Sequence, residues 1–67
     1  MNKFSLYDVV KLVDSKSETS VPINSIGTIV DINDNYPNSY MVEFFNEDDD
    51  SLGVFDVISS QIIQSGA

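Results

Sequence analysis

Sixty-seven residues carrying eleven Asp and Glu, three Lys and no Arg, His or Cys give an acidic chain of formal net charge -8. It is short enough for one domain, residues 1–67, and it has neither disulfides nor the usual zinc ligands to hold that domain together. Lys3, Lys11 and Lys16 are the whole cationic supply, which argues against direct binding to a phosphate backbone or an anionic membrane surface. A basic protein partner, a cation or plain solubility remain as uses for the charge.

A chain of this length buries only about 60% of the surface its unfolded form exposes. Its stability must come from packing the apolar 42% of its residues. The N-terminal "MNKFSLYDVVKLV" lacks a long apolar core and a small-residue cleavage site, so no signal peptide is expected. No segment approaches the eighteen or so apolar residues of a membrane span, and the cytoplasm is the default location.

Val, Ile, Phe and Tyr come in short runs separated by Asn, Asp, Ser, Pro and Gly, which is the punctuation of strands and turns. In the first run, Tyr7 to Val13, Lys11 faces water and Val10 and Leu12 point into a core. In the polar loop that follows, Val21, Pro22 and Ile23 are expected to tuck back as a small apolar flap. The second run, Ile26 to Asn33, alternates imperfectly. Gly27 there signals a bulge or a close backbone approach, which decides whether Ile29 or Val30 is buried. "DNYPNS" supplies turn chemistry, with Asp34, Asn35 and Asn38 suited to left-handed or capping positions and Pro37 to a fixed one.

The third run, "YMVEFF", is cleaner. Tyr40, Val42 and Phe44 share the core face, and Met41, Glu43 and Phe45 share the wet one. An acidic run, Glu47 to Asp50, leads to a fourth strand in which Asp56 points outward and Phe55 and Val57 inward. Ser51 to Gly53 are assigned to the geometry of the acidic turn. "SSQ" reads as a short turn, "IIQ" as a last brief strand and "SGA" as a frayed tail. Four or five short strands without a long helix predict an all-β fold, a small antiparallel barrel or sandwich whose closure would remove exposed edges.

The fragments "YDVVKLV", "IGTIVDI", "YMVEFF" and "VISSQII" resemble the small SH3-like barrels, the class that includes the KOW-type ribosomal and transcription-factor modules. More narrowly, the pattern "DVV.L", "GTIV", "Y.VEF" is similar to a family of short bacterial proteins of unknown function, from Leu6 to Ile63. The resemblance implies an SH3-like antiparallel barrel of about five short strands. Asn24 stands where such sequences often have Gly, and Asn is next best able to take a positive φ. The basic residues with which KOW-type modules touch RNA are missing.

Without His or Cys the usual general base and sulfur nucleophile are absent, no Ser has a triad partner, and the chain reads as non-catalytic. Asn46, Asp48 and Asp50 have the spacing that opens a calcium loop. Ser51 and Val57, however, stand where that loop needs Gly and Glu, so no metal or other cofactor is expected. The acidic run can be read simply as a solvated hairpin loop, although four adjacent like charges repel. It can equally be the rim of a binding patch centred on outward-facing Phe45 and Met41.

The first functional expectation is thus a non-catalytic module that inhibits a basic partner. That partner would be a nuclease toxin or another nucleic-acid-binding protein, met in the manner of an immunity protein, an antitoxin or an inhibitor that mimics nucleic acid. Its contact residues would be Asp34, Tyr36, Met41, Glu43, Phe45, Glu47, Asp48, Asp49 and Asp50. The alternative is a structural or accessory subunit that docks by an apolar barrel face or a strand edge.

Overall fold

Period-two alternation in the apolar runs is realised as strands in the computed structural model, which describes residues 4–14, 21–33, 35–36 and 38–65. The strands are β1 (Val9–Leu12), β2 (Ile26–Ile32), β3 (Ser39–Phe45), β4 (Ser51–Ile58) and β5 (Ile62–Gln64). A single 3-10 turn, Ser59–Gln61, joins β4 to β5. All pairings are antiparallel and run in the order β4-β3-β2-β1-β5. The class is all-β with five short strands, as the sequence predicts. The sheet is open, with β4 and β5 as its edges.

Val10, Leu12, Ile29, Tyr40, Val42, Phe44, Val57 and Ile62 are buried almost completely on one face. No helix covers that face among the described residues, so the sheet must curve over itself to exclude water from it. Phe4 adds to the core from outside the sheet. Its ring packs edge-on against Tyr40 at 5.4 Å, and its N–H donates to the Tyr40 hydroxyl at 3.2 Å. Val21 is buried as well, whereas Pro22 and Ile23 are exposed, so only the first residue of the expected flap tucks in.

One row of facing residues crosses four strands, Gly53, Phe44, Gly27 and Val10. A Cβ on Gly27 would lie 2.6 Å from Val42 Cγ1, 2.8 Å from the Glu43 carbonyl oxygen and 2.8 Å from Phe44 Cδ1. Gly27 thus marks a close approach, and the bulge falls further along the strand. The β2–β3 register shifts between Ile29 and Asp31. The extra residue, Val30, faces out and leaves Ile29 in the core. A second shift between Phe44 and Phe45 makes room for Leu52 in β4.

The first strand is shorter than the apolar run suggested. Tyr7 has φ 68° and belongs to a turn, while its N–H still donates to the Ile29 carbonyl at 2.8 Å. Asn24 does take a positive φ, 74°, and its N–H reaches the Leu12 carbonyl at 2.7 Å. Ser65, placed in the expected tail, is held by an N–H to Val9 carbonyl bond of 2.8 Å.

The return of the chain from β4 to β5 is tied by Gln61, whose side-chain amide is buried. Its Oε1 accepts the Ile58 N–H at 2.9 Å, and its Nε2 donates to the Asp14 carbonyl at 3.1 Å. Its own carbonyl accepts the N–H groups of Val13 (2.7 Å) and Asp14 (3.2 Å). One residue therefore joins the end of β4, the end of β1 and the start of β5.

Two stability predictions follow from this packing. Gly27→Ala forces atoms into the Val42, Glu43 and Phe44 contacts and should cost about 1–3 kcal/mol in urea unfolding. Gln61→Ala removes the side-chain bonds to the Ile58 N–H and the Asp14 carbonyl, with an expected loss of about 1–2 kcal/mol. Ser60→Ala, at an exposed neighbour, should stay within about 0.5 kcal/mol and serves as the control.

Candidate functional site

The acidic run is a structured turn. The Asn46 N–H donates to the Asp50 carbonyl and the Asp49 N–H to the Asn46 carbonyl, both at 3.0 Å. Asn46 Oδ1 accepts the N–H groups of Asp48 and Asp50, both at 2.9 Å. This is the local side-chain-to-backbone bonding that favours Asn in turns. Asp49 closes the loop with φ 65°, the left-handed residue of a three-residue hairpin loop, where Gly is preferred. Asn46 and Asp49 set this geometry. Ser51 to Gly53, expected to do so, open β4 instead.

The side chains of Glu47, Asp48, Asp49 and Asp50 are exposed. Beside the turn runs a groove of about 740 Å³ between the Pro22–Ile26 segment and the β3–β4 hairpin. Ile23, Ile26, Phe45 and Leu52 give it apolar lining, and Glu47, Asp48 and Asp49 give it acidic lining. Ile26 and Phe45 are directly paired across β2 and β3. Ile23 is 46% exposed and Ile26 40%, so the apolar part is open to a partner. Lys11 lies in the same cross-strand row, beyond Ile26 from Phe45, and is the one cation among the described residues.

Only part of the predicted contact set converges here. Phe45, Glu47, Asp48 and Asp49 line the groove, and Asp50 completes the turn. Glu43 is half-buried and accepts the Ser51 Oγ–H at 2.7 Å, which gives it a role in fixing the start of β4. Met41 lies further along β3, paired with Asp31 on one side and Asp56 on the other. Tyr36 is exposed but sits in the β2–β3 turn, at the opposite end of the sheet. A seven-residue strand separates it from the acidic turn, roughly 20 Å at the usual rise per residue. It therefore cannot share one compact patch with Glu47. Asp34 and Pro37 lie outside the described residues.

Ile23, Ile26 and Leu52 were missed as site residues. For Ile26 the signal available was strand pairing, since outward Phe45 at the end of β3 must have an outward neighbour at the start of β2. Ile23, ahead of β2, and Leu52, at the β4 irregularity, gave no such signal. Among the described residues, no three Asp or Glu are placed to hold a metal ion together, and no helix is long and apolar enough to cross a membrane.

The chain belongs to the DUF4926 family, a domain of unknown function, whose model matches residues 6–64. Comparisons with curated proteins and with solved structures returned no match.

The turn itself can be tested by two substitutions of opposite sign. Asp49→Gly removes the strain of a positive φ and should stabilise the protein by about 0.5–1 kcal/mol, net of the extra backbone freedom of Gly when unfolded. Asn46→Ala loses two accepted hydrogen bonds and should destabilise by about 1–2 kcal/mol. Paired urea titrations read both.

Proposed function

We propose that this protein is a non-catalytic binding module that captures a basic protein partner in the groove beside its acidic turn. The observation that carries this reading is the joining of apolar surface from exposed Ile23 and Ile26 and half-buried Phe45 and Leu52 to carboxylates at Glu47, Asp48 and Asp49. Apolar contacts give a partner something to bury, while the rim charge selects its sign and speeds its approach. A second feature supports the reading. Asp49 occupies a backbone position that Gly would fill with less strain, next to three other carboxylates that repel it. Residues that break a local rule in this way are expected where function demands it.

The partner is of the kind that carries a Lys/Arg-lined groove for phosphates, such as a nuclease toxin or another nucleic-acid-binding protein. The module would act on it as an immunity protein, an antitoxin or a nucleic-acid mimic does. The strand order, with a 3-10 turn leading to a last strand beside the first, supports reading the domain as an SH3-like barrel. In that reading it has exchanged a basic nucleic-acid surface for an acidic one.

Affinity capture with mass spectrometry would name the partner, and binding kinetics would then test the site. Neutralising Glu47→Gln, Asp48→Asn, Asp49→Asn and Asp50→Asn together should weaken the complex about a hundredfold, equivalent to about 2.7 kcal/mol. The association rate of the native protein should fall steeply as salt is raised. Phe45→Ala should act mainly on the dissociation rate. Unchanged affinity in the neutralised protein, with a salt-indifferent association rate, overturns the proposal.

A further inference from the structure

The groove leaves a second feature of the surface unused. At eight residues β4 is the longest strand of the sheet, and it is an edge. Edge strands are normally blunted by Lys, Pro, short length or a bulge. β4 contains neither Lys nor Pro, and its one charged residue is Asp56. Its irregularity lies at Leu52, and Gly53 to Ile58 pair regularly with β3.

Hydrogen-bond parity shows which groups face outward. The Ser59 N–H donates to the Asn38 carbonyl at 2.8 Å, the residue pair that continues the β3–β4 register beyond Ser39 and Ile58. Bonded and non-bonded pairs alternate in an antiparallel ladder. Val57 and Phe55 therefore bond to β3, and the N–H and C=O groups of Val54 and Asp56 point toward the open edge. The Ile58 N–H is taken by Gln61, which sets the limit of the free stretch.

Side chains along that stretch are patterned too. Val54 is 47% exposed and Ile58 45%, and Asp56 lies exposed between them. On the inner face Phe55 is only partly covered, tilted against Phe44 at 6.3 Å. We propose that the Val54–Asp56 edge of β4 accepts an antiparallel extended strand from a basic partner. Its pattern, read from its N-terminus, is Lys or Arg opposite Asp56, an apolar residue over Phe55 and a β-branched residue opposite Val54.

Charge and register decide the occupant. A second copy of this chain brings another net charge of -8. Its own β4 can offer Asp56 no cation, because the strand has none. A cationic strand instead gains the opposite-charge pair at Asp56 and the apolar pair at Val54, on top of the backbone bonds. This surface is separate from the groove, so either proposal can fail without the other.

The probe is the synthetic peptide acetyl-Lys-Thr-Lys-Val-Ile-Thr-Lys-amide, titrated into isotopically labelled protein and followed by amide NMR and hydrogen exchange. Binding should slow exchange at the Val54 and Asp56 amides. N-methylation of the peptide's Ile, whose N–H points at β4, should weaken binding about tenfold. N-methylation of its Val, whose N–H points away, should change binding by less than about twofold. A peptide with the central Lys replaced by Glu should bind more weakly, and Asp56→Lys in the protein should restore it. The protein neutralised at residues 47 to 50 should keep the same N-methylation pattern. The proposal is overturned if no binding occurs, if both N-methylations act alike, or if the shifts centre on Ile26 and Phe45. It is also overturned if sedimentation shows the protein alone dimerising with those two β4 amides protected.

Discussion

Gln61 ties the end of β4 to the end of β1 at the start of β5, across the sheet's two edges. A five-stranded sheet that no helix covers among the described residues excludes water by bending until its ends approach. The chain must then turn from one edge strand to the other without leaving backbone groups stranded. Gln61 satisfies the last N–H of β4 and a carbonyl just past β1 with its side chain, and two N–H groups past β1 with its own carbonyl. Buried polar groups of this kind are costly if any bond is missing and specifying when all are made. Leu12 and Ile62, directly paired, are sealed by the same turn. In a core this small, no other layer can take over that work.

The opposite end of the β2–β3–β4 meander follows a different logic. There the backbone is satisfied locally, chiefly by Asn46, and the side chains are left free to carry charge. The turn is therefore a stable platform for repelling carboxylates, set beside apolar side chains drawn from three parts of the chain. Rigid backbone with unspent side chains is what a recognition surface requires, because little ordering remains to be done on binding.

Much of this was readable from the residues. The core positions Val10, Leu12, Tyr40, Val42, Phe44 and Val57 follow from period-two alternation, as does the outward direction of Phe45. Asn24 was a legible left-handed residue because its side chain tolerates that conformation. Tyr7 was not, since a bulky aromatic with positive φ contradicts its own preference and is held by the long-range bond to Ile29. Gly27 was legible as a close approach, but adjacent β-branched Ile29 and Val30 gave no sign of which was the extra residue. Part of the groove was hidden because Ile26 comes beside Phe45 only through strand pairing, while Ile23 lies ahead of β2 and Leu52 at a break in the β3–β4 register. Tyr36 was misassigned for the converse reason: nearness in sequence says nothing about which end of a sheet a turn occupies.

The order of pairing has a consequence for how the molecule assembles and breathes. β2, β3 and β4 pair with their immediate successors in the chain, so their contacts close short loops. β1 and β5 come from opposite ends of the chain and meet over only three residue pairs. Loop-closure entropy favours the meander as the earlier structure and the β1–β5 seam as the last to form. The same seam is then the natural first site of partial opening. Its loss would uncover Ile62 and the edge of β1, while the acidic turn, carried by the β3–β4 hairpin, would still be standing.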